Sequence, residues 1–354
     1  MIKSNYRIVG VMSGTSLDGI DLVHVDFQFE DTWEFKINSA ETVAYPKEWK
    51  ERLKGLISLN TEELHQTNSS YTSYLASVIN DFIKKNKIKD LDAVCSHGHT
   101  ALHQPEKQLT LQIGNLPQLA SLIENKVVCD FRLQDVLLGG QGAPLVPIGD
   151  TLLFSEFDYC INLGGFANIS TNINEERIAY DICPVNIVMN HYVKSVGLDY
   201  DDNGKLASKG EVNVTLLEKL NRLSFYKELP PKSLGLEWVY DNVFPLINTN
   251  ESNLNNILRT FVEHIAIKIS ESISSKPNSS VLITGGGAYN SFLIDRIKEL
   301  SKNEIGIPSQ EIIEFKEALI FGFLGVLKLR NEINCLQSVT GASKNHSSGY
   351  VFMP

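Results

Sequence analysis

One short pattern occurs twice and limits the folds open to this chain. Tyr6–Met12 (YRIVGVM) is an apolar, β-branched run that enters a small polar turn and leaves it as a second such run, Ile20–Phe27 (IDLVHVDF). Tyr159–Ser170 (YCINLGGFANIS) repeats the scheme of strand, glycine turn and strand. One such unit in each half predicts a duplicated architecture. The separation far exceeds the roughly 20–50-residue period of a solenoid, so two related α/β domains facing a cleft are expected. With 354 residues the chain is long enough for two cores. The Gly/Pro-rich stretch Leu137–Pro147 (LLGGQGAPLVP) cannot be the interior of an element, and the boundary is placed soon after it. The expected domains are 1–155 and 156–354, with the C-terminal helix and tail packing back on the first.

The turn of the first unit lies in GVMSGTSLDGID, Gly10–Asp21. It has the composition of a loop that wraps phosphate, yet it lacks the Gly-Lys-Ser/Thr of a Walker loop and feeds a strand instead of a helix. Two further glycine turns follow apolar strands, at Gly164–Gly165 and Gly285–Gly287. Together they suit a nucleotide, with two hairpins for phosphates and a third turn beside the nucleoside. For Thr15, Ser16 and Asp18 a second reading stands beside this one, in which the side chains bond their own turn.

Net charge is −10, which excludes a nucleic-acid partner held by a basic face but leaves open an anionic small ligand bound by backbone amides. Cys95, Cys129, Cys160, Cys183 and Cys335 are odd in number and scattered, so neither a disulfide framework nor a zinc site is expected, and three of them end apolar strands. There is no signal-peptide stretch at the start and no run of 18 apolar residues, so the expected location is cytoplasmic, with no membrane partner.

Asn60 and Glu63 are spaced as a capping box before a helix whose inner face is Leu64, Tyr71, Leu75, Val78, Ile79 and Phe82. A second amphipathic helix starts at Leu254. Phe315–Leu329 is apolar on nearly all sides, which predicts a helix buried between the domains, and Glu317 is a carboxylate within it. Asp181 is expected at the exit of a strand, before a helix beginning near Pro184. It is placed there either as a general base or as the cap of that helix. His97, His99 and His103 cluster without an acidic or thiol neighbour, and no metal ligand is assigned among them.

These segments together resemble the anhydro-N-acetylmuramic acid kinase family of the actin/hexokinase/Hsp70-like ATPases. The residues carrying the resemblance are Gly10–Asp21, Ser96–Pro105 (SHGHTALHQP), Leu111–Asn115, Asp130–Arg132, Gly139–Pro147 (GGQGAPLVP) and Asn162–Ser170 (NLGGFANIS). Pro230–Gly235, Gly285–Asn290, Glu317–Ala318 and Ser338–Ala342 complete it, in order along the whole chain. The resemblance implies two ribonuclease H-like domains around an interdomain cleft. It also implies ATP and Mg²⁺ as cofactors, and a reaction that opens the ring of 1,6-anhydro-N-acetylmuramic acid with water and phosphorylates O6. Carried over by position, Asp181 is the catalytic base. Gly14, Thr15, Ser16, Leu17, Asp18, Gly19, Ile20 and Asp21 form the first phosphate loop, and Gly164, Gly165 and Asn168 the second. Gly285, Gly286 and Gly287 lie on the nucleoside side, and Arg132, Glu317 and His99 near the sugar. A homodimer is also implied.

The chain departs from the family pattern beside the base. Relatives read Asp-Thr-Gly-Pro-Gly-Asn where this chain has Asp181-Ile182-Cys183-Pro184-Val185-Asn186. Bulk replaces two glycines there, and Cys183 is either packing or a thiol activated by a helix start. Asn115 and Leu236 stand where an aspartate and an arginine are usual. Two other readings follow from these changes: a kinase for a different anhydro- or amino sugar, or a relative that binds ATP and sugar with impaired turnover.

Overall fold

The structure is a computed structural model and describes residues 3–14 and 16–354. The chain forms two compact units, residues 1–154 with 315–354, and residues 155–314.

The first unit is built on a seven-stranded sheet. Strands β1 (Asn5–Ser13), β2 (Gly19–Phe29) and β3 (Trp33–Ala44) form an antiparallel meander, and β4 (Ala93–Gln104) and β6 (Val127–Cys129) continue the sheet parallel to β1. Strand β5 (Leu109–Ile113) folds back on β4, and β12 (Tyr350–Phe352) closes the edge antiparallel to β6. The connection from β3 to β4 includes the helix Thr61–Lys85. Its start is fixed by both bonds of a capping box: the Asn60 side chain accepts from the Glu63 amide, and the Glu63 carboxylate accepts from the Asn60 amide. All six residues of the expected inner face are buried. Burying side chains such as Tyr71, Leu75 and Ile79 contributes about 1.5–3 kcal/mol each.

The second unit repeats the plan with five strands. Strands β7 (Tyr159–Leu163), β8 (Phe166–Ile173) and β9 (Glu176–Pro184) form the meander, and β10 (Ser280–Thr284) and β11 (Glu304–Gly306) add on parallel to β7. The helices Leu254–Ser272 and Ser291–Leu300 lie on the crossovers into β10 and β11. Ile257, Leu258, Phe261, Ile265 and Ile269 of the first helix are buried against the sheet residues Ile161, Leu163 and Ile283. Three antiparallel strands followed by two parallel ones occur in both units, so the repeated strand–turn–strand pattern belongs to a repeated topology.

Close approach explains two glycines of the first unit. The helix Gln310–Leu329 lies so near β1 that a Cβ on Gly10 would sit 2.2 Å from the Ala318 carbonyl oxygen. A Cβ on Gly325 would sit 2.1 Å from the Cys95 sulfur. Among the described residues no helix is long and apolar enough to cross a membrane.

Candidate active site

In the first unit the loop from Gly14 to Asp18 joins β1 to β2; Thr15 lies outside the described residues. Leu17 takes a left-handed backbone (φ 61°) and its amide donates to the Gly14 carbonyl at 3.4 Å, so the turn closes on itself. Gly19 must be small because a Cβ there would lie 2.6 Å from the Val43 carbonyl oxygen of β3. Ile20 is buried, and the Asp21 carboxylate accepts from the Thr42 hydroxyl at 2.6 Å. Ser16 and Asp18 are exposed.

The foot of this loop is held by a buried network. Ser13, the last residue of β1, pairs across the sheet with His99, and its hydroxyl lies 3.0 Å from His99 Nδ1. It is also 2.5 Å from the Tyr45 hydroxyl and 3.0 Å from that of Tyr71. Burial drives the His99 pKa down to about 4, so the ring is neutral at physiological pH. His99 is thus bonded to the residue that leads into the loop. The network of Ser13, Tyr45 and Tyr71 leaves no mark in the sequence, because its members are far apart along the chain, in a strand, a connection and a helix.

Arg132 follows β6. Its Nε donates to His97 Nε2 at 2.8 Å and its Nη1 to the Gly142 carbonyl at 2.6 Å, within the Gly139–Pro147 stretch. The other ring nitrogen of His97 lies 2.8 Å from the Gly98 carbonyl, which can only accept, so the proton is on Nδ1 and Nε2 is free to accept from Arg132. Burial first, and the guanidinium second, hold the His97 pKa well below its ordinary value. Asn115 donates to the His97 carbonyl and to Asp130 Oδ1, both at 3.0 Å. An amide at this position brings a donor to Asp130, where an aspartate would bring a second carboxylate. Burial still lifts Asp130 to about 6. Glu317 remains open to solvent, but protein crowds its carboxyl enough to raise its pKa. Arg132 opposes that shift and Asp21 adds to it. Arg132 and Asp21 are therefore both within electrostatic reach of Glu317 in the first unit. The histidine trio holds no metal-like geometry: among the described residues the one cluster of that kind is elsewhere.

In the second unit the turns Gly164–Gly165 and Gly285–Gly287 lie side by side, because β7 and β10 are parallel neighbours with Asn162 opposite Thr284. Gly285 has φ 80°, and a Cβ on it would lie 2.6 Å from Asn162 Oδ1; one on Gly287 would lie 2.7 Å from Leu163 Cβ. Gly286 is exposed, with nothing nearer than 3.9 Å. The Gly164 and Gly165 carbonyls accept from the amides of Val185, Asn186 and Ile187, which ties the hairpin to the start of the helix Asn186–Val193.

Asp181 differs from the expected position in one respect. It is inside β9, which runs on to Pro184 because Phe166 of β8 pairs with Pro184, and the helix begins only at Asn186. The residue capping that helix is Val185, with no side-chain bond, so the capping alternative for Asp181 is removed. Asp181 stands directly opposite the exposed Asn168, and Ile182 is the extra residue of a bulge between this pair and Ala167–Cys183. Bulges re-aim side chains, and this one lies next to the proposed base. Asp181 is pinned twice from the segment Pro230–Gly235. Its amide donates to the Lys232 carbonyl at 3.0 Å, and its Oδ2 accepts from the Leu234 amide at 2.7 Å. Burial raises the Asp181 pKa, and the Leu234 bond partly offsets that.

Neither replaced position has the positive φ that would require a glycine. Val185 has φ −132°, and Cys183 lies in extended β9. Cys183 is fully buried in the core, and burial pushes its thiol far up, so it is packing and not a reactive group.

Two α/β units of matching topology each carry a glycine turn after a strand, and in the second unit Asp181 is a half-buried strand carboxylate held by the Leu234 amide. The family described as anhydro-N-acetylmuramic acid kinase matches residues 6–354. The chain is 32% identical over 365 residues to the anhydro-N-acetylmuramic acid kinase of Sulfurovum sp. (strain NBC37-1), covering 98% of this chain and 99% of the relative. It is 33% identical over 369 residues to that of Saccharophagus degradans, covering 98% of each. A looser likeness, with TM-score 0.46 and 12% identity, is to component A of the (R)-2-hydroxyglutaryl-CoA dehydratase of Acidaminococcus fermentans, over 89% of this chain and 95% of the other. The chain belongs to the anhydro-N-acetylmuramic acid kinase family, and it is an ATP-dependent sugar kinase.

Proposed function

We propose that this kinase acts on 1,6-anhydro-N-acetylmuramic acid, opening its anhydro ring with water and transferring the γ-phosphoryl group of ATP to O6. The product is N-acetylmuramic acid 6-phosphate, an intermediate of cell-wall recycling. The observation that carries the reading is Asp181, fixed through Oδ2 by the Leu234 amide and made a stronger base by burial. In the reaction Asp181 takes a proton from water as its oxygen bonds to C1. The C1–O6 bond breaks, and O6 attacks the γ-phosphorus as ADP leaves.

The first unit supplies Gly14–Asp21 for phosphate, and Arg132, Glu317 and His99 on the sugar side. Arg132 faces the lactyl carboxylate as a charge-assisted donor, and His99 acts by holding the loop. The second unit supplies Asp181, the phosphate turn Gly164–Gly165 with Asn168, and Gly285–Gly287 beside the nucleoside. Asp18 and Asp21 offer the hard oxygen atoms that suit Mg²⁺, a cation that keeps phosphate oxygens and water as its other ligands. When bound, Mg²⁺ neutralises charge on the phosphates. A cytoplasmic homodimer completes the proposal; light scattering of the purified chain tests the dimer.

The test is ADP release from ATP and 1,6-anhydro-N-acetylmuramic acid, comparing wild type with Asp181→Asn. Sugar-dependent turnover that falls about 100-fold or more in the variant supports reaction and base together. A wild type that binds ATP but phosphorylates another anhydro- or amino sugar faster overturns the substrate.

A further inference from the structure

Three buried side chains outside the proposed chemistry meet in the first unit: Asp135, Cys335 and His346. One nitrogen, sulfur or oxygen atom of each lies within 4.8 Å of the other two. The placement is rigid. Cys335 and His346 face each other across an isolated antiparallel bridge, the Cys335 amide donating to the His346 carbonyl at 3.1 Å and the His346 amide to the Cys335 carbonyl at 3.2 Å. Residues so opposed carry their side chains on one face. Asp135 is held on the helix Leu133–Leu137 by the Gly142 amide on Oδ2 and the Thr340 hydroxyl on Oδ1, both at 2.7 Å.

The histidine shows what is missing from this cluster. His346 is 5% exposed, and its Nδ1 lies 3.1 Å from the Lys344 carbonyl, which can only accept; Nδ1 therefore carries the proton. Its Nε2 is buried without a hydrogen-bond partner, 3.5 Å from Asp135 Oδ1. A lone pair and a carboxylate oxygen that face each other away from water repel, and burial makes that costly. A cation between them, or a second proton on the ring, removes the conflict.

We propose that Asp135, Cys335 and His346 form a zinc site. Oxygen, thiolate and imidazole are the ligand types zinc takes in proteins, and three protein ligands leave a fourth position for water. Thiolate plus carboxylate balance the two charges of the ion, so the buried assembly is neutral. Binding breaks the S–H bond of Cys335, forms a Zn–S bond and releases one proton to solvent. The Thr340 hydroxyl and the Gly142 amide are the supporting hydrogen bonds that ligating carboxylates usually have. The site would tie the segment bearing Cys335 and His346 to the Gly139–Pro147 loop, whose Gly142 carbonyl seats Arg132.

The experiment is titration of the full-length chelator-treated protein with Zn²⁺ and with Co²⁺ as an optical probe. The expected result is one equivalent bound, a raised melting temperature, and a near-ultraviolet thiolate-to-cobalt band. Cys335→Ser should abolish the band. His346→Gln should weaken binding by at least about 100-fold, the upper end of what loss of a supporting bond alone costs. No band in the wild type, or stoichiometry unchanged in both variants, overturns the site and leaves an Asp135–His346 ion pair. The wild-type spectrum decides even if a variant fails to fold. Kinase turnover is not a readout, so failure here is distinct from failure of the proposed reaction.

Discussion

At Asp181 two influences oppose each other, and the larger sets the pH behaviour. Burial raises its pKa above the ordinary carboxylate value near 4, and the Leu234 amide pulls it partway back. A general base must be ionised, so kcat/KM should fall as pH drops through the raised value. The acid limb of the pH profile should therefore lie above the pKa of an unperturbed aspartate, and it should vanish in Asp181→Asn. Arg132 permits a second test. Arg132→Lys removes the fork that bonds His97 and Gly142 together, and a point charge on a flexible stem does not replace it. The KM for the sugar should rise about tenfold or more, with kcat changed less. Asp181 at the end of a strand, and Arg132 through the family resemblance, were both legible in the sequence as candidates. Their orienting partners were not, since Leu234 contributes a backbone amide, which any residue has, and His97 read only as one of three histidines.

Among the glycines, crowding separates those the fold needs from those open to a ligand. Gly10→Ala would place a methyl group 2.2 Å from the Ala318 carbonyl oxygen, and the overlap should cost about 1–3 kcal/mol, seen as a lower melting temperature. Gly286→Ala meets nothing within 3.9 Å, so stability should hold within about 0.5 kcal/mol while the KM for ATP rises. Asn60→Ala should cost about 0.5–2 kcal/mol through loss of the capping box. That box, and the inner face of its helix, could be read from the sequence because both are set by spacing within a few turns. The end of β9 could not. Proline suggests a helix start by local propensity, but pairing of Phe166 with Pro184 carries the strand on past Asp181. The bulge at Ile182 is likewise a property of two strands together.

Over the whole molecule, the two sheets share one plan, and the repeated hairpin was enough to anticipate it. The edge strand Tyr350–Phe352 was not anticipated: three residues give no periodicity, and their partner β6 lies more than 200 positions earlier. A chain cut before Phe315 would lose that strand and the helical residues that pack on Gly10. The first unit should then fail to form, seen as rapid proteolysis of residues 1–154, while residues 155–314 resist. The same arrangement orders events at the ribosome. Domains tend to fold as they emerge, N-terminal first. Here residues 1–154 must wait for residues 315–354, so the unit of residues 155–314 is the first of the two that can be finished. Until Tyr350–Phe352 has been made, the unpaired edge of β6 is a nascent-chain hazard of the kind chaperones cover.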